Sequence, residues 1–166
     1  MDDLAYAIRH NLWATRRVLE FGRTLSADQL ELTVEGTAGS IRYGLVHIVS
    51  ADQRYLAAVG VTVTPKFQEA ADSDLAQALA AHAANEQAWE ALLAAPLELD
   101  RWHERPERHD RLRRVMIPAQ AVHHGTDHRT QVGTILLHHG LELPDLSVWS
   151  YAAEHGDYQR DEGRPA

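Results

Sequence analysis

His124 and His128 stand four positions apart in a segment whose apolar spacing predicts a helix. The apolar stripe of that helix runs from Ile117 through Ala121 to Ile135, and both histidines fall on it. Residues at i and i+4 project from one helix face about 5 to 6 Å apart. At that separation two imidazoles can share one ion, so the pair is a candidate part of a metal site.

A metal centre needs a further ligand from another element, and His47 is the best candidate. Its helical neighbours include Gly44 and Ala51, whose small side chains leave space for an ion and a bound molecule. Three neutral imidazoles with an open position are typical of a catalytic metal site, whereas a structural zinc site is closed by a fourth ligand. The sequence contains no cysteine, so any metal must be held by His, Asp or Glu.

Other interpretations of these residues remain open. His124 and His128 could be hydrogen-bonded core histidines, or they could face water if the stripe is rotated. His82 and Glu86 form a second i, i+4 pair on the predicted third helix and could supply a ligand or contact one. A Ser-His-Asp hydrolase is disfavoured, because the sequence has no GxSxG motif and no serine in a strand–turn–helix context.

Four segments with helical periodicity must position these side chains. They run from about Leu4 to Gly22, from Ser40 to Val59, from an N-cap at Asp74 to Pro96, and from Pro118 to His138 with Gly140 as the C-cap. A short capped turn is predicted at 26–29, a short strand or hairpin around Leu97–Trp102, and a shorter fifth helix over Pro144–His155. We therefore predict an all-α four-helix bundle with a short extra C-terminal helix, a single domain over residues 1–156 and a frayed tail over 157–166.

Composition excludes several classes of protein. The chain has 166 residues, of which 45% are hydrophobic and 24% charged, as is usual for one globular domain. The net charge of −8 disfavours binding to nucleic acid, and the six arginines between 101 and 114 are expected to form local ion pairs in a solvated loop. The longest apolar run, Tyr55–Val61, is far shorter than the roughly 20 residues of a membrane helix. With no apolar signal segment after Met1-Asp2-Asp3, we expect no membrane association and a cytoplasmic location.

The segment Ala121–Gln131 carries a histidine, three further residues and then His-Arg-Thr-Gln. This pattern resembles the fourth helix of the DinB-like (YfiT-type) superfamily of metal-dependent bacterial proteins, in which His-Arg-Gly-Gln follows the spacer. Gly39–Asp52, which contains His47, is similar to the second helix of that family. Weaker similarities extend the resemblance over about residues 4–156. Asp127, where members often have a further histidine, and Thr130 in place of glycine are departures from the pattern.

The resemblance implies that His47, His124 and His128 bind a divalent ion, with zinc or nickel favoured and iron or manganese as alternatives. It further implies a homodimer and, as in some members, an S-transferase or isomerase that uses a small thiol such as bacillithiol, mycothiol or glutathione on a small-molecule substrate. Arg129, or the arginines at 101–114, would then bind the carboxylates of that thiol, and Asp127 could orient a ligand imidazole. A metal-dependent hydrolase and a non-catalytic, stress-associated metal-binding bundle are the alternatives.

Overall fold

The structure is a computed structural model that describes residues 3–70, 73–95 and 98–159. In these ranges it contains six α-helices and one two-stranded sheet. The helices are α1 Asp3–Gly22, α2 Ala27–Leu30, α3 Ile41–Ala58, α4 Leu75–Ala94, α5 Met116–His138 and α6 Val148–Glu154, and the strands are β1 Trp102–Arg105 and β2 Asp110–Arg113. The four long helices α1, α3, α4 and α5 pack on one another, which confirms the predicted all-α bundle. None of the described helices is long and apolar enough to cross a membrane.

The ends of the long helices follow local sequence signals. The Ser40 hydroxyl accepts a hydrogen bond from the Tyr43 N–H at the start of α3, and the Asp74 carboxylate accepts one from the Ala76 N–H at the start of α4. Pro118 lies in the first turn of α5, where a missing N–H interrupts no intrahelical hydrogen bond. Gly140 follows the end of α5 with a φ of 73°, the left-handed conformation typical of a glycine C-cap.

A polar layer divides the core of the bundle. One apolar cluster, which includes Leu19, Leu45 and Ile135, fills one end, and a second, which includes Ile8 and Trp89, fills the other. On three helices the buried polar residues fall between the positions that contribute to the two clusters: Asp52 on α3, His82 and Asn85 on α4, and His128 and Arg129 on α5. On α1, Thr15 falls between them and Asn11 adjoins Leu12 of the second cluster. The candidate ligand His128 therefore belongs to this layer.

The hairpin lies further along the chain than the sequence predicted. It spans 102–113, where Trp102 pairs with Arg113 and Arg105 with Asp110, rather than Leu97–Trp102. Its strands are rich in charged residues and only Leu112 is buried in them, so they carry no alternation of apolar and polar residues that would mark a strand.

The C-terminal helix is shorter than predicted. It begins at Val148 because Ser147 caps it by accepting a hydrogen bond from the Ser150 N–H. Asp145 in turn accepts a hydrogen bond from the Ser147 N–H at 2.8 Å, which holds the preceding residues in a turn instead of a helix. The predicted frayed tail falls largely on residues 160–166, which lie outside the described residues.

Candidate metal centre

Helices α3 and α5 bring His47, His124 and His128 together. The Nε2 atoms of His47 and His124 lie 3.2 Å apart. The His128 ring centroid is 4.8 Å from that of His47 and 4.4 Å from that of His124. One nitrogen from each ring falls within 4.8 Å of the other two, and no other such group of His, Asp or Glu occurs in the described part of the chain. Two nitrogens bound to a tetrahedral zinc ion are about 3.3 Å apart, so the arrangement suits one shared ion.

Small residues allow these helices to approach each other. A Cβ atom at Gly44, one turn before His47, would lie 2.9 Å from Cγ2 of Val132 on α5. Gly125, between the two ligands of α5, lies against the Asn11 side chain on α1, where a Cβ atom would overlap the amide oxygen. The close packing of α5 against α3 and α1 therefore depends on positions where a larger side chain would displace its neighbours.

The electrostatics of the site favour neutral imidazoles. Burial, followed by the neighbouring His128 and His47, lowers the pKa of His124 to about 4. The pKa of His128 is also lowered, first by burial and then by His47. Nδ1 of His128 is buried and has no hydrogen-bond partner among the described residues. Metal binding requires deprotonated nitrogens with free lone pairs, so this donor set fits a divalent ion.

Glu69 contacts a candidate ligand, and the sequence analysis missed it. Nδ1 of His47 donates to its carboxylate at 2.9 Å from Oε2 and 3.1 Å from Oε1, and the Ser50 hydroxyl donates to Oε2 at 2.7 Å. Burial alone would raise the pKa of Glu69, but the hydrogen bonds from Ser50 and His47, together with the electrostatic effects of His47 and Arg54, outweigh it, and the pKa is lowered. The carboxylate places the His47 proton on Nδ1 and leaves Nε2 free towards His124, an arrangement typical of metal-bound histidines.

No sequence signal could have identified Glu69. It lies 22 positions from His47, in a connecting segment that forms neither helix nor strand. Asp127, which was predicted to orient a ligand, is exposed and forms no hydrogen bond to a ligand histidine within the described residues. Its charge raises the pKa values of His124 and His128 but does not offset the effect of burial.

Two tyrosines flank the centre. The Tyr43 ring stacks on His47 with a centroid distance of 5.2 Å and an interplanar angle of 17°. The edge of Tyr55 meets His124 at 5.6 Å, and the Gln120 amide donates to the Tyr55 hydroxyl at 3.3 Å. These contacts restrict the rotation of two of the three candidate ligands.

Arg129 lies in the polar layer and is 5% exposed. Its Nη1 donates to the Asn11 side-chain oxygen and to the Thr15 hydroxyl, both at 2.8 Å, and its Nη2 donates to the Thr126 hydroxyl at 3.2 Å. Burial lowers its pKa to about 10. Arg129 also lines a shallow cleft of about 200 Å³. Its contact with a cofactor carboxylate stays a prediction.

The other charged groups considered in the sequence form local pairs. Nε2 of His82 donates to the Leu12 carbonyl at 3.0 Å, and Glu86 accepts from Nε of Arg16 at 3.0 Å, so this pair is engaged inside the bundle. The arginine-rich segment forms the ion pairs Arg105–Asp110, Arg113–Asp100 and Arg101–Glu98, as expected. None of these groups joins the three histidines.

A four-helix bundle with three histidines converging from two of its helices defines a helical protein with a candidate mononuclear metal centre. The model of the DinB family matches residues 1–161, and the chain belongs to that family. A DinB-like protein from Bacillus cereus shares the fold, with a TM-score of 0.64 at 15% sequence identity, over 80% of this chain and 90% of that chain. No curated protein matches the sequence. The family resemblance expected from the sequence is therefore confirmed.

Proposed function

We propose that the protein binds one divalent metal ion through His47, His124 and His128 and uses it in an enzymatic reaction. The observation that carries the proposal is the convergence of one nitrogen from each ring within 4.8 Å, with His47 held by Glu69. Imidazole donors suit zinc or nickel, with iron or manganese as alternatives. Three protein ligands leave a coordination position for a small molecule, as in catalytic sites.

The reaction we favour is transfer to or from a small thiol. A bound divalent ion would lower the pKa of a thiol held beside it. The sulfur would then bond to an electrophilic carbon of the substrate while the leaving group departs and the thiol proton passes to solvent. Because the chain has no cysteine, the thiol must be a separate small molecule. In this scheme the three histidines hold the ion, Glu69 orients His47, and Tyr43 and Tyr55 bound the space around it.

Metal content measured by mass spectrometry on tag-free protein tests the site. We expect near-stoichiometric metal in the wild type and its loss in His47→Ala, His124→Ala and His128→Ala. His123→Ala is the matched control, because His123 is exposed and adjacent to a ligand but outside the cluster, and it should retain the metal. A wild type that takes up none of zinc, nickel, iron or manganese on titration would contradict the proposal.

Turnover assays with the identified ion then separate the reaction classes. Activity that requires an added thiol supports the transferase, and metal-dependent hydrolysis without thiol supports a hydrolase, since a three-histidine site can also activate water. No metal-dependent turnover, together with a large loss of stability on chelation, would favour a non-catalytic metal-binding bundle.

A homodimer is part of the same proposal. Trp149 and Leu137 are large apolar side chains that are 69% and 68% exposed in the single chain, and such side chains are common at subunit interfaces. Analytical ultracentrifugation should give twice the chain mass, and Trp149→Glu should shift the equilibrium towards the monomer. A monomer at all concentrations would exclude the dimer.

A further inference from the structure

An open cleft of about 620 Å³ lies between α3 and the segment that follows it. Ser50, Arg54 and Ala57 line it from α3, and residues 62–63 and 66–69 line it from the other side. Ser50 and Glu69 contribute both to this cleft and to the hydrogen bonds around His47. A molecule in the cleft would therefore lie next to the candidate metal centre.

The wall of the cleft is held to α3 at two points. The Gln53 side chain, which is 8% exposed, accepts a hydrogen bond from the Phe67 N–H at 2.8 Å and donates to the Pro65 carbonyl at 3.3 Å. Glu69 anchors the far end through His47 and Ser50. Because a buried side chain satisfies these backbone groups, the cleft is a preformed part of the fold.

The cleft is cationic in an acidic protein. Arg54 and Lys66 line it, and Lys66 is the only lysine in a chain whose net charge is −8. Among the lining residues Glu69 is the only acid, and its carboxylate is already engaged by His47 and Ser50. Arg54 donates to the Ser50 hydroxyl at 3.0 Å, its Nη1 lies 3.9 Å from Oε2 of Glu69, and its side chain is 57% exposed. Lys66 is exposed and forms no hydrogen bond or ion pair in the described part of the chain.

The remaining lining of the cleft is partly apolar. Val63, Phe67 and Ala57 contribute to it, and Phe67 also packs against the core. Two cations beside apolar surface are suited to an anion with an apolar body.

We propose that this cleft binds the substrate of the metal-dependent reaction, and that the substrate is a small organic anion whose oxyanion group is held by Arg54 and Lys66. The proposal rests on the proposed function for its reaction. In addition, it predicts that the cleft binds the anion even when no metal ion is bound. The apolar part of the substrate lies against Phe67 and Val63, and its reactive end points towards His47.

The single lysine permits a direct test. Reductive methylation with ¹³C-formaldehyde places one dimethyl-lysine signal in the cleft, distinct from that of the amino terminus. Benzoate, phenyl phosphate, inorganic phosphate and benzyl alcohol are titrated against this signal in metal-loaded and in chelator-treated protein. We expect benzoate or phenyl phosphate to shift the signal in both forms, with at least tenfold weaker binding of benzyl alcohol. The stronger of the two shows whether a carboxylate or a phosphate is preferred.

Variants separate the cleft from the metal centre. Arg54→Gln should weaken anion binding about tenfold with the metal content unchanged, whereas Arg23→Gln, an exposed arginine outside the cleft lining, should leave both unchanged. Lys66→Gln lacks the labelled group, so its affinity is measured by calorimetry and should fall similarly. These outcomes would support anion binding in the cleft even if the protein contains no metal.

Several results would overturn the proposal. A shift seen only in metal-loaded protein means that the anion binds the ion and not the cleft. Equal affinity for inorganic phosphate and phenyl phosphate excludes an apolar contribution. Unchanged binding in Arg54→Gln and Lys66→Gln removes the two cations from recognition. Each of these leaves the metal site intact, whereas a metal-free wild type contradicts the proposed function alone.

Discussion

Replacement of Glu69 tests how much its carboxylate contributes to metal affinity. The carboxylate accepts from Nδ1 of His47 at 2.9 and 3.1 Å, and the two side chains are only 19% and 23% exposed. A hydrogen bond to a charged group in such a site contributes about 1.5–3 kcal/mol. Since 1.36 kcal/mol corresponds to a factor of ten, its loss weakens metal binding about 10- to 100-fold. We expect Glu69→Gln, which can still accept from His47, near the lower figure and Glu69→Ala near the upper one.

The assay is competition for zinc against a chelating dye at pH 7.5. Gln68→Ala is the matched control, because Gln68 is the exposed neighbour on the same segment and contacts no ligand. Thermal unfolding of the metal-free proteins shows whether each variant folds. ¹⁵N spectra of His47 in metal-free protein report the tautomer directly, and Glu69→Ala should lose the preference for a proton on Nδ1. Zinc affinities within twofold of the wild type in both variants, with an unchanged tautomer, would refute the orienting role of Glu69.

Three further predictions concern the bundle that supports the site. Burial raises the pKa of Asp52 from 3.8 to about 6, so the folded state holds this proton more tightly than the unfolded state, and the resulting stability is lost as the pH rises from about 4 to 6. In urea unfolding, the free energy of unfolding of Asp52→Asn should therefore rise relative to that of the wild type across that range, by up to about 3 kcal/mol. A difference between the two proteins that does not change with pH would contradict this. Gly44→Ala should destabilise the protein by about 1–3 kcal/mol through contact with Val132, and Val132→Ala should relieve the loss in the double variant; additive effects would show that the two positions do not meet. Arg129→Met should cost about 1–3 kcal/mol, because the buried Asn11 side-chain oxygen loses its donor, while folded protein retains its metal; equal stability would show that the guanidinium is not needed in the polar layer.

Local sequence patterns were sufficient to predict the bundle and two of the three candidate ligands. Helical periodicity, serine and aspartate caps and Gly140 predict four long helices close to their observed bounds, because these signals act within a few residues of one another. The i, i+4 spacing places His124 and His128 on one face of α5 for the same reason. The addition of His47 depended on its small neighbours and on the family resemblance, since no local rule states which helices are adjacent.

The tertiary structure alone decided what surrounds the three histidines. Glu69 reaches His47, and Lys66 reaches the cleft, only because Gln53 holds the connecting segment against α3. That segment forms neither helix nor strand, so its path depends on single hydrogen bonds between residues distant in sequence. Arg129 directly follows the candidate ligand His128 in the chain, yet it meets Asn11 and Thr15 of α1 and not the other two histidines, because consecutive helical residues point about 100° apart and the packing of α1 determines what each one meets.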